Sequence, residues 1–179
     1  AYVKSTEGCT VLNAYYLTDY AEARRHGIRT GTYHFFSTTS PGAAQADHFL
    51  KCSRFGKGDL PPVLDVEPSD AQIAGMGGAE AMFRSIRAWL IRVRQRTGRR
   101  PILYVSQMCA NRYLPQAPDL GDNYLVWIAR YGEYKPNIKL IYWQLSPDGR
   151  VRGIHGDVDI NVFNGYRNQY GDFLKRHCF

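Results

Sequence analysis

Short apolar runs alternate along the chain with segments whose apolar residues recur at helical spacing. Tyr2-Val3 opens a strand-like piece that ends at Lys4. Tyr16, Leu17, Tyr20 and Ala23 then fall at helical intervals, and Gly27 supplies a C-terminal stop. Residues 30–36 read as a strand. Ser40-Pro41 has the form of an N-cap followed by proline at the first helical position, ahead of a helix that buries Ala46, Phe49 and Leu50. The run PVLDVE over residues 62–67 is apolar and ends in acids. The longest helix is predicted over residues 79–96, with Met82, Phe83, Ile86, Trp89, Leu90 and Val93 on one stripe and Gly98 as its stop. Strands are expected at 102–105, 124–128, 140–144 and 158–160, and a last helix at 166–175.

Strands separated by helices through the first two thirds predict βαβ units and a parallel sheet. The last third places its strands closer together. No internal repeat, low-complexity tract or linker interrupts the chain, so the expectation is one α/β domain over residues 1–179, barrel-like.

Composition narrows the class. The chain has 179 residues, 44% hydrophobic and 13% aromatic, too apolar for a disordered polypeptide. No apolar run approaches the roughly 18 residues of a membrane span, so no membrane partner is expected. The opening AYVKSTEG lacks the basic and apolar regions of a secretory signal. Lys and Arg number 23 against 16 Asp and Glu, giving +7 and a pI near 9.3. That balance favours polyanions: nucleic acid, anionic membrane surfaces or the acidic polymers of a bacterial wall. The excess concentrates at Arg92, Arg94, Arg96, Arg99 and Arg100. A solvated helix face and helix C-terminus account for it, and no nucleic-acid motif accompanies it. Cys9, Cys52, Cys109 and Cys178 form no CxxC, which leaves a zinc ribbon unsupported and their pairing open.

Several common sites are missing: there is no GxSxG, HExxH, P-loop or GxGxxG, and GMGG at residues 75–78 reads as a flexible turn. His155, Asp157 and Asp159 lie close in sequence, but the first two precede the apolar strand as a loop, and no metal site is expected. The informative element is Leu64-Asp65-Val66-Glu67. Residues i and i+2 of a strand share a face, so Asp65 and Glu67 would stand together at the C-terminal end of a parallel strand, where α/β sites form. Two carboxylates held close cannot both ionise easily, which makes one a proton donor near neutral pH. Aromatics lie at or near other strand ends: Tyr33, Phe35, Phe36, Tyr104, Trp127, Tyr131 and Trp143. Phe35, like Trp89, reads as core. Beside Gln144, Asp159 and Asn161, the others supply rings that stack on pyranose faces and amides that fix hydroxyls.

Eight segments, in order, resemble family 25 glycoside hydrolases, the Chalaropsis-type lysozymes. They are YVKSTEG from Tyr2, GTYHFF from Gly31, AAQADHFL from Ala43, LPPVLDVE from Leu60, ILYVS from Ile102, VWIARYG from Val126, YWQ from Tyr142 and DVDINVFNG from Asp157. The resemblance implies an irregular, TIM-like β/α barrel. It also implies an N-acetylmuramidase that cuts the β-1,4 bond between N-acetylmuramic acid and N-acetylglucosamine in peptidoglycan. Glu67 would be the general acid/base. Asp65 would orient and polarise the substrate N-acetyl group or stabilise developing positive charge, a substrate-assisted exception to the two-carboxylate scheme. Asp159 matches a further acid, Tyr33 the tyrosine at the sugar, Trp127 and Gln144 the wall, and Glu7 a pocket-side glutamate. No cofactor or metal is required. The expected partner is the peptidoglycan glycan strand, met by a monomer in a secreted or periplasmic setting. The resemblance further implies a strand carrying Gly-(Ile/Val)-Asp-x-Ser ahead of YVKSTEG. That strand is missing here, so an open edge at Tyr2-Val3 and one fewer carboxylate are expected. The alternative from another class is a peptidoglycan-binding or regulatory domain with little catalysis. A chitinase-like DxE barrel is the nearest enzymatic competitor.

Overall fold

Alternation along the strands sorts their side chains onto two faces, and each face has its own core. The computed structural model describes residues 1–129 and 140–179. Its strands are β1 (Tyr2–Glu7), β2 (Val11–Leu12), β3 (Gly31–Phe35), β4 (Val63–Val66), β5 (Ile102–Val105), β6 (Leu125–Ala129), β7 (Leu140–Gly149) and β8 (Val158–Phe163). They form one sheet in the order β2-β1-β3-β4-β5-β6-β7-β8. Every neighbouring pair from β1 to β7 is parallel, while β2 and β8 are antiparallel additions at the two ends. The helices are α1 (Tyr16–Arg25), α2 (Gly42–Cys52), α3 (Asp70–Gly75), α4 (Ala79–Thr97), α5 (Pro118–Asn123) and α6 (Arg167–His177). The α/β expectation holds.

The outer face carries Leu64, Val66, Leu103, Val105, Val126 and Ile128, all buried under α2 and α4. The six-residue stripe predicted for α4 is buried in full, and Gly98 closes the helix in the left-handed conformation at φ 68°. Gly42 permits the close approach of α2 to α4, since a Cβ there would lie 1.9 Å from the Ser85 carbonyl oxygen. The expected Ser40 cap is corrected: the N-cap of α2 is Pro41, and the Ser40 hydroxyl is buried without a partner. Gln45 braces this turn instead, donating to the Ser37 and Ser40 carbonyls at 2.8 and 2.7 Å and accepting from the Ser37 N–H at 2.9 Å.

The inner face carries Val63, Ile102, Tyr104, Trp127 and Tyr142, with Phe173 and Cys178 from the end of the chain packed on them. The Tyr2 and Trp127 rings are 5.3 Å apart although four ladders separate β1 from β6. On a flat sheet that separation would be about 19 Å. The sheet is therefore strongly curled. Among the described residues no ladder joins its two ends, so the architecture is a curled half-barrel.

Some elements differ from the sequence pattern. β7 and β8 run on as an antiparallel hairpin that is largely exposed, where no apolar period marks them. The helices α3 and α5 have six residues each, too short for a stripe. For α3 the signal is its capping box, in which Ser69 and Gln72 bond reciprocally. A five-residue π turn at Cys109–Tyr113 also lacks a periodic signature. All four cysteines are free thiols.

Candidate active site

β4 places the acids. All four of its residues are buried, Leu64 and Val66 in the outer core and Val63 and Asp65 on the inner face. Glu67 follows at the strand end and is exposed, while Pro68 is buried and turns the chain. In register with Asp65 lie Phe35 and Tyr104, then Glu7 beyond Phe35 and Trp127 beyond Tyr104. One rung near the C-terminal ends of the parallel strands thus carries acid, ring, acid, ring and ring.

The electrostatics follow from burial. Asp65 is 9% exposed and its Oδ1 has no hydrogen-bond partner. Burial first, then the Glu67 charge and a hydrogen bond to Glu67, hold the Asp65 carboxyl well above the usual carboxylate range. Lys4 opposes this and Asp159 adds to it. Glu67 is raised too, by desolvation and by Asp159, against a hydrogen bond with Asp65 that lowers it. Asp159 is raised by desolvation and partly relieved by a hydrogen bond with Gln144. Tyr33, half-buried, is raised by burial first and then by the charges of Asp65, Asp159 and Glu67. The cluster therefore holds protons that isolated carboxylates would have lost.

The other expected residues join this cluster from the far strands. Tyr104 donates to Gln144 Oε1 at 2.6 Å, leaving the amide N–H group of Gln144 for Asp159. Trp127 donates to Asn161 Oδ1 at 2.9 Å, and Asn161 reaches the Asp159 carbonyl at 3.3 Å. Trp127 is buried between Tyr2, Tyr104 and Tyr142, so it presents its edge rather than an open stacking face. Glu7 stands at the rim and is held by Lys4 at 2.7 Å. Phe36 belongs to the outer core and Trp143 packs against it. Tyr131 and the end of VWIARYG lie outside the described residues. His155 and Asp157 are exposed, and Asp157 pairs with Arg150 at 2.9 Å. Among the described residues no group of His, Cys, Asp and Glu is arranged to hold a metal ion.

Two residues of the site escape period-two reading. Lys4 sits 4.7 Å over the Phe35 ring and bonds Glu7, which puts all three on the inner face. Strict alternation would send Lys4 and Glu7 to opposite faces. A bulge at Ser5 resets the register, pairing Lys4 with Tyr33 but Thr6 with His34. Phe35 is accordingly half-buried under Lys4 rather than core, a correction to its expected place.

Comparison with known proteins gives the same assignment. The model of the family "Glycosyl hydrolases family 25" matches residues 1–154. YegX of Escherichia coli O6:H1 is 34% identical over 177 residues, 97% of this chain and 62% of that protein. Lysozyme M1 of Streptomyces globisporus is 33% identical over 180 residues, 92% of this chain and 60% of that protein. The chain thus spans about three-fifths of the length of these curated relatives. The solved structure of a bacterial lysozyme from Streptomyces coelicolor superposes with a TM-score of 0.85 at 32% identity, covering 98% of this chain and 84% of that one. By its fold, its ordered motifs and these matches, the chain belongs to glycosyl hydrolase family 25.

Proposed function

We propose that the chain hydrolyses peptidoglycan at the β-1,4 bond between N-acetylmuramic acid and N-acetylglucosamine. The observation that carries this reading is the pair Asp65 and Glu67, one buried and one exposed, sharing one face at a strand end. Glu67 reaches solvent and retains its proton above the usual carboxylate range, so it serves as the acid that protonates the leaving oxygen and later as the base that activates water. Asp65 lies two residues back, and its buried Oδ1 is an acceptor without a partner. A substrate amide N–H would satisfy it. That contact orients the N-acetyl group to attack the anomeric carbon, so the substrate supplies the nucleophile. Tyr33, Gln144 and Asp159 surround the place where charge develops, and Tyr104 holds Gln144. The same reading makes residues 1–179 a single catalytic domain, monomeric and acting on walls from a secreted or periplasmic position.

The test is release of reducing ends from purified walls by the chain and by Glu67→Gln. Release that disappears in the variant supports the reading, and equal release by both overturns it. Wall pull-down without reducing ends from either protein would favour a binding module. Product analysis on chitin oligomers beside peptidoglycan separates the muramidase from a chitinase-like enzyme.

A further inference from the structure

Each helix that leads into a parallel strand ends at the edge of the sheet where that strand begins. Cations of the last helical turns and of the connections therefore gather at one end of the molecule, opposite Asp65 and Glu67. Arg94 and Arg96 stand in the last turn of α4, and Arg99 and Arg100 in its connection to β5. Arg176 stands in the last turn of α6 and Arg29 just ahead of β3. Shared neighbours join several of them: Arg29 donates to the Gly58 carbonyl at 3.2 Å, the Gly58 N–H donates to the Phe179 carbonyl at 2.8 Å, and Arg99 lies over the Phe179 ring. Arg100 and Arg176 both act on His177, and Arg94 and Arg100 on Tyr124.

These six differ from arginines on the flanks. Arg87 pairs with Asp119 at 2.7 Å, Arg92 with Asp47 at 2.5 Å and Arg150 with Asp157 at 2.9 Å. Among the described residues none of the six has a carboxylate within ion-pair distance. The acids that act at this end, Asp59 on Cys178 and Asp119 on Tyr124, are paired with Arg24 and Arg87 rather than with these six, while the opposite end concentrates carboxylates. Macrodipole compensation explains the last-turn cations, but not Arg29, Arg99 and Arg100 beside them. The rings at this end are occupied: Phe179 stacks on Phe55 at 5.0 Å with Arg99 above it at 5.7 Å, and Tyr124 packs on the outer core. Neither offers an open face for a base, so the surface suits phosphates without nucleobases.

We propose that this basic end binds the phosphodiester-linked anionic polymers that accompany peptidoglycan in bacterial walls, leaving the carboxylate end free for glycan. The choice of polymer rests on the wall reading of the carboxylate site; the location of the surface does not. An extended polyanion spans several guanidinium groups at once and releases its counterions, so its binding is steeply salt-dependent.

The test is fluorescence anisotropy with end-labelled poly(glycerol phosphate) of defined length, on the full chain, over a series of salt concentrations. Replacing Arg94, Arg96, Arg99 and Arg100 by Gln should weaken binding at least about tenfold and reduce the salt slope by about three. The same four changed to Lys should retain binding, which separates charge from packing. Arg25, Arg84, Arg112 and Arg150, which pair on the flanks with Glu22, Glu80, Asp70 and Asp157, serve as the Gln control and should change affinity less than about twofold. Equal weakening in both Gln quadruples would overturn the surface. Tighter binding of single-stranded DNA of equal charge would overturn the choice of partner. Glu67→Gln should bind the polymer as well as the parent chain, so failure of the hydrolase reading shows only in the wall assay.

Discussion

The two faces of the same strands do different work. On the outer face β4, β5 and β6 present Leu64, Val66, Leu103, Val105, Val126 and Ile128 to α2 and α4, and every one is buried. On the inner face the same strands present Asp65, Tyr104 and Trp127, with polar tips hydrogen-bonded or unsatisfied. Each face holds a buried titratable group, and the contrast is instructive. His34 on the outer side is fully satisfied, with Thr6 Oγ1 at 2.7 Å and Gln45 Oε1 at 3.0 Å, and it stacks on Trp89. Asp65 on the inner side keeps a bare oxygen. A satisfied buried group serves the fold, whereas an unsatisfied one at a strand end is poised for a ligand.

The largest expected effects break the two faces separately. Glu67→Gln should lower the rate of reducing-end release by about 10²–10⁴-fold, while the thermal unfolding midpoint stays within a few degrees of the parent. Leu103→Ala should do the reverse, costing about 2–5 kcal/mol in denaturant unfolding. The pH profile of its remaining activity should be unchanged. Matching shifts in both profiles would mean that the faces are not independent.

Stability against pH sharpens the same contrast, because the two sides carry opposite signs. Burial lowers the His34 imidazole from 6.5 to about 4. The unfolded chain therefore binds a proton there that the folded chain refuses, and stability rises with pH between about 4 and 6.5, by roughly 3 kcal/mol at most. Asp65, Glu67 and Asp159 are raised, so the folded chain keeps protons that the unfolded chain has lost. Their contribution falls as pH rises above the ordinary carboxylate values of 3.8 and 4.5. Unfolding midpoints measured from acid to alkaline pH should show His34→Gln without the rising limb. Asp65→Asn should lose part of the falling limb and gain about 1–2 kcal/mol at neutral pH, since the amide removes the cost of ionising a buried carboxyl. A lowered midpoint in Asp65→Asn would refute that cost.

How much of this was legible in the sequence follows the same division. The outer face was readable because burial imposes a period: the α4 stripe and the apolar residues of β4 and β5 lie where alternation and helical spacing put them. The pair Asp65 and Glu67 was readable for the same reason, two residues apart on one strand. Gln144 and Asn161 were readable as site residues only by type and place, since their direct bonds to Tyr104 and Trp127 cross strands far apart in sequence. Phe35 was misassigned because apolar character says nothing about which face a ring takes beside a neighbouring bulge. The extent of the curl was not readable at all. It depends on long-range contacts such as Tyr2 with Trp127, which no local pattern encodes.

Lys4 gives the smallest effect and the finest test of the inner face. Its ammonium bonds Glu7 and lies over Phe35, and its charge opposes the protonation of Asp65. No corresponding effect of Lys4 falls on Glu67, whose shift comes from desolvation, Asp65 and Asp159. The pair loses its protons in two steps, and activity belongs to the singly protonated state. Lys4 acts on Asp65, the carboxyl of the pair that keeps its proton longer, so Lys4→Met should make the second proton harder to lose, moving the basic limb of the pH–rate profile up by as much as about one unit. The acidic limb reports loss of the first proton, from the exposed carboxyl that Lys4 does not reach, and should stay in place. The profile therefore broadens on its basic side. Equal displacement of both limbs would mean that Lys4 acts on the cluster as a whole, and no displacement would reduce it to a rim partner of Glu7.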